Sequence, residues 1–77
     1  MNKPRIICDP NILVGKPTIE GTRISVELVL EEIAFHSVEE MLAEYPSLSR
    51  EGIQAALEYA TGVIRNEDVM PVFVNYE

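Results

Sequence analysis

Apolar residues are spaced in two ways along this chain, and the change falls near residue 25. Before it the apolar runs are short and rich in β-branched residues. Arg5-Ile6-Ile7-Cys8 reads as a strand closed by the turn formers Asp9-Pro10-Asn11, and Ile12-Leu13-Val14 reads as a second extended piece. Gly21 lies between Ile19-Glu20 and the β-favouring Thr22-Arg23-Ile24, which predicts a tight hairpin needing the positive φ that glycine supplies. Pro17 lacks an amide donor and suits the start or edge of a strand.

After residue 25 the spacing becomes helical. Ser25 is a candidate N-cap, followed by an apolar stripe of Val26, Val29, Leu30 and Ile33, with Glu27, Glu31 and Glu32 off it. Ser37 and Glu40 spell a capping box for a second helix, whose stripe is Val38, Met41, Leu42 and Tyr45 and which Pro46 ends. Ser49 caps a third helix with a core face of Ile53, Ala56, Leu57, Ala60 and Ile64. Gly52 weakens that helix by about 1 kcal/mol relative to alanine. The short link from Pro46 to Leu48 makes the last two helices resemble a helix-turn-helix.

Beyond Asn66 the helical pattern stops. Val69-Met70-Pro71-Val72-Phe73-Val74 is apolar and β-prone, with Val72 and Val74 on one face and Phe73 on the other. Two destinations are open to it: augmentation of a partner's sheet, or packing on the chain's own N-terminal strand or on a second copy. The expected organisation is therefore one small domain over residues 1–66, with a β element at 5–24 and a three-helix bundle at 25–66. Residues 67–77 form a tail with a candidate partner-binding strand.

At 77 residues the chain is near the lower limit for a self-sufficient core, and its single cysteine rules out an internal disulfide. Self-association, as a homodimer, or a partner protein is the natural remedy. The lone thiol at Cys8 fits a reducing cytoplasm, and no apolar run approaches the roughly 20 residues of a membrane span. Net charge is −7 and unevenly spread. Residues 1–25 carry four cations against two carboxylates, whereas residues 26–77 carry Arg50 and Arg65 against eleven. An acidic helical body favours a basic protein partner and repels phosphate backbones.

Reactive chemistry finds little to work with. His36 falls at the end of the first helix, where a cation complements the helix dipole, and Cys8 reads as a strand-core residue with no base beside it. One cysteine and one histidine cannot supply a four-ligand zinc site. Gly15-Lys16 lacks the other parts of a phosphate loop, since Pro10 and Pro17 stand where glycine and Ser or Thr belong. No catalytic, cofactor or metal residue is assigned, and no enzyme activity is expected.

Two binding readings follow. If the third helix enters a DNA major groove, its outward residues are Arg50, Glu51, Gln54, Ala55 and Glu58. Arg50 then suits guanine and Gln54 adenine, with Lys16 and Arg23 as further contacts, but Glu51 and Glu58 face the phosphates. In the protein-binding reading Val72, Phe73 and Val74 meet the partner. Arg23 serves either reading by clamping a carboxylate or phosphate, or else it pins the hairpin to Glu27.

The segment Gly15-Lys16-Pro17-Thr18-Ile19-Glu20-Gly21-Thr22-Arg23-Ile24 closely resembles the signature of the domain-of-unknown-function 433 family. The likeness continues through Tyr45-Pro46-Ser47-Leu48 and Ala55-Ala56-Leu57-Glu58-Tyr59-Ala60, so it covers roughly residues 5 to 61. It implies a mostly α, homeodomain-like three-helix bundle preceded by a small β-hairpin. It also implies a non-catalytic, antitoxin-like half of a gene pair that masks a PIN-like ribonuclease and binds operator DNA for autoregulation. Stand-alone members leave two alternatives, a helix-turn-helix DNA-binding regulator and a structural homodimer. The eleven residues from Glu67 to Glu77 limit any toxin-masking arm to one strand.

Overall fold

A computed structural model describes residues 3–67 and 71–74. In chain order its elements are β1 (Ile6–Cys8), a short 3₁₀ turn (Leu13–Gly15), β2 (Thr18–Ile19), α1 (Val26–Ile33), α2 (Val38–Glu44), α3 (Arg50–Ile64) and β3 (Val72–Phe73). The fold is mostly helical, three helices with a small three-stranded sheet ordered β2-β1-β3. β1 pairs antiparallel with β2, Ile6 opposite Ile19, and parallel with β3, Ile7 opposite Val72.

Helix starts follow local chemistry. The hydroxyls of Ser25, Ser37 and Ser49 accept from the backbone N–H groups of Leu28, Glu40 and Gly52 at 3.0–3.1 Å. The Glu40 carboxylate accepts in return from the Ser37 N–H at 2.8 Å, completing the capping box. Tyr45, extended as a residue before proline must be, ends α2. The core lies between sheet and helices. Ile6, Ile19, Ile24, Val29, Met41, Leu48, Ile53 and Ala56 are buried there.

Gly52 gains a purpose in this packing. A Cβ at that position would lie 3.3 Å from Ile19 Cγ2, so the missing side chain lets β2 sit close against α3. The hairpin also forms as read. The Ile19 N–H donates to the Ile24 carbonyl at 3.0 Å, and Gly21 has φ +82 at the third position of the turn from Ile19 to Thr22.

Five expectations need correction. Ile12-Leu13-Val14 is not extended, because the ten-residue path from Cys8 back to the antiparallel β2 has to reverse. The Gly15 and Lys16 N–H groups donate to Ile12 and Leu13 at 3.1 Å, and Leu13 and Val14 adopt φ 52 and 57. Leu30 and Ile64 are not in the core: they are 40% and 83% exposed, since no further element covers that flank of α1 and α3 among the described residues. Ala55 does not face outward; α3 packs on both the sheet and α1, so its buried arc widens to include this small residue. Arg23 does not pin Glu27, whose carboxylate is taken by Lys16 Nζ at 3.2 Å.

The tail takes one of the two destinations left open. Val72–Phe73 adds to the chain's own N-terminal strand, and the Val74 N–H donates to the Cys8 carbonyl at 2.9 Å. Phe73 points away and is 64% exposed. Val69 and Met70, the start of the expected strand, lie outside the described residues.

Surface ion pairs predict the response to acid. The Glu20, Glu39 and Glu58 carboxyls lie below the usual range because Arg5, Arg50 and Lys3 donate to them, and Glu40 does so because of the Ser37 N–H. A carboxylate lowered in the folded state adds stability above its unfolded value of about 4.3, and the addition vanishes as pH falls through the folded value. The thermal midpoint is expected to hold from neutral pH to about 5 and to fall below about 4.3. Circular dichroism melts check this, and Glu20→Gln should shrink the drop slightly, since exposed pairs contribute little.

Candidate functional site

In the glycine-rich segment Lys16, Gly21 and Arg23 are exposed, while Thr18, Ile19 and Ile24 are buried. Gly15, φ +82, closes the 3₁₀ turn, and the Pro17 carbonyl accepts from the Val26 N–H at 2.9 Å, tying the segment to the start of α1. The fully buried Thr18 donates its hydroxyl to the Lys16 carbonyl at 2.7 Å. Thr22 Oγ1 donates to the Ile19 carbonyl at 2.8 Å and accepts from the Ile24 N–H at 3.0 Å. Gly21 and Thr22 thereby hold the turn that presents Arg23.

Arg23 is exposed and makes no ion pair among the described residues. It stands between two shallow depressions. Ile12, Gly21, Thr22 and Ser47 line one with it; Leu13, Val14, Lys16, Leu28 and Glu31 line the other. Val14 on this rim is 93% exposed in the left-handed region, φ 57 and ψ 33. That conformation costs a residue with a Cβ about 1–2 kcal/mol, and no burial of the side chain offsets it. Loop chemistry is supported from below by the buried Asp9, which accepts from the Asn11 N–H at 2.9 Å.

The four candidate DNA contacts separate into two groups. Lys16 and Arg23 share the depression just described, while Arg50 and Gln54 line a different groove with Val38, Ile53 and Leu57. On α3 the side chains of Arg50, Gln54 and Glu58 are engaged within the chain. Arg50 Nη2 donates to Glu39 at 2.8 Å, Gln54 to Glu58 at 3.3 Å, and Lys3 pairs with Glu58 as well. With Arg5 on Glu20 and Lys16 on Glu27, four of the six cations are neutralised within the chain.

Among the described residues Cys8 and His36 lie apart, one buried in β1 and the other exposed beyond α1. Cys8 is buried, and burial pushes its thiol up from the ordinary range, away from the reactive thiolate. His36 is exposed between Glu40 at 3.7 Å and Glu32 at 4.0 Å. Among the described residues no group of three His, Cys, Asp or Glu could hold a metal ion, and no helix is long and apolar enough to cross a membrane. Sequence reasoning missed the strained Val14 and the uncovered Leu30 and Ile64. Helical spacing alone cannot tell a core stripe from an open flank, but Val14 beside Gly15 was a legible hint of a turn.

Comparison with known proteins places this segment in a recurrent stretch. Residues 6–60 match a family model described as "Protein of unknown function (DUF433)". An uncharacterized protein of Sinorhizobium fredii, y4eO, is 45% identical over 56 residues, which are 71% of this chain and 25% of that protein. The chain thus spans about a quarter of the length of this curated relative. No solved structure matches it.

Proposed function

This chain belongs to the DUF433 family, and we propose on that premise that it is a non-catalytic, antitoxin-like protein that binds and masks a PIN-like ribonuclease. The observation that carries the reading is the state of its cations. Lys3, Arg5, Lys16 and Arg50 are spent on internal carboxylates, whereas Arg23 and Arg65 carry no ion pair among the described residues, and Arg23 alone of these two lies beside an exposed, strained Val14. An unpaired guanidinium next to apolar surface suits the carboxylate-rich surface of another protein better than a phosphate backbone, which the chain's net charge of −7 repels. A cytoplasmic location fits a buried, reduced Cys8.

DNA binding by the chain alone draws less support, because Arg50 and Gln54 are held by Glu39 and Glu58 within an acidic face. Co-expression with a PIN-like ribonuclease encoded beside it tests the proposal. The two should co-purify, and RNA cleavage by the ribonuclease should stop in stoichiometric complex. A ribonuclease that stays active and unbound beside excess chain would overturn it.

A further inference from the structure

The flank where α1 meets the C-terminal half of α3 is apolar and uncovered among the described residues. Val26 and Leu30 form one wall of a 380 Å³ groove, and Tyr59, Ala60, Val63 and Ile64 form the other. Leu30, Val63 and Ile64 are 40%, 53% and 83% exposed. We propose that this groove is a homodimer interface, filled by the same face of a second copy of the chain.

Charge selects the second copy as occupant. The chain carries −7, yet among the described residues the only ionised side chains lining the groove are Lys16 and Glu27, which pair at 3.2 Å and cancel. Two copies therefore meet here without opposing like charges, which the outer helix faces bearing Glu39, Glu40, Glu44 and Glu51 do not allow. A two-fold arrangement also lets each Lys16–Glu27 pair exchange partners across the interface.

Shape agrees. Val26 and Leu30, Tyr59 and Val63, and Ala60 and Ile64 are each four residues apart, so the walls are parallel ridges of the kind that interdigitate between helices.

Sedimentation equilibrium on the purified full chain, from low to high micromolar concentration, tests this. The expected mass is that of two chains. Leu30→Glu and Ile64→Glu should each weaken the dimer by about tenfold or more, because each forces a carboxylate into the apolar contact. Phe35→Glu, at an 85% exposed residue outside the groove, should leave the dimer intact. Far-ultraviolet circular dichroism reports whether each variant keeps its helices; if Leu30→Glu does not, the more exposed Ile64 decides. A single-chain mass at the highest concentration would overturn the proposal, as would a dimer that survives Ile64→Glu or one that Phe35→Glu dissociates just as readily.

Discussion

Ile19→Ala is expected to destabilise the fold by about 2–5 kcal/mol, the range for truncating a fully buried aliphatic side chain. Ile19 is 1% exposed and lies over Gly52, within the space a Cβ there would contest. The wall beneath it is α3 backbone, which cannot close over a void as flexible side chains do, so the loss falls toward the upper part of that range. A domain of this length has roughly 4–12 kcal/mol of total stability, so the variant sacrifices a large fraction of it. Urea titration followed at the helical dichroism band measures the change. Ile19→Val, which removes one methyl group, should cost only about 0.5–1.5 kcal/mol. Equal midpoints for the two variants would show that Ile19 does not join the sheet to α3 as described.

Arg23→Ala should leave the thermal midpoint unchanged and weaken capture of the ribonuclease by about 1.5–3 kcal/mol, roughly ten- to hundredfold in Kd. The stability half follows from Arg23 having no ion pair among the described residues. The affinity half follows from the proposed clamp on a carboxylate, and Arg23→Lys should recover only part of it, because an ammonium cannot present the planar fork. Titration calorimetry on wild type and both variants reads the difference. Unchanged affinity for Arg23→Ala, with wild-type binding intact, would move the contact elsewhere and leave the docking function standing.

How much of this was legible depended on the range of the interaction. Ser25, Ser37 with Glu40, Ser49, Pro46 and Gly21 act within a few residues of themselves, and each marked its boundary in the sequence. The six motif residues Gly15, Lys16, Pro17, Gly21, Thr22 and Arg23 were readable as a group, because they lie in one short stretch of the sequence. Distances that cross the chain were not readable. Lys16, eleven positions away, competes with Arg23 for Glu27 and wins, which spacing along a helix does not reveal. Leu30 and Ile64 carry the right period for a core, yet whether a helix face is covered depends on how many layers the fold has. Gly52 looked like a weak point in α3 until Ile19 was found against it.

The parallel pairing of β1 with β3 has a consequence for the protein's birth. Ile7 and its partner Val72 are 65 positions apart. At a synthesis rate of about 5–20 residues per second, the second edge of β1 waits roughly 3–13 s for its strand to be made. Through that interval Ile6-Ile7-Cys8 presents an apolar edge to any neighbouring nascent chain. Arg5 and Asp9 bracket the three residues as charged gatekeepers, and neutralising both should raise the aggregated fraction on expression even if the finished fold is no less stable.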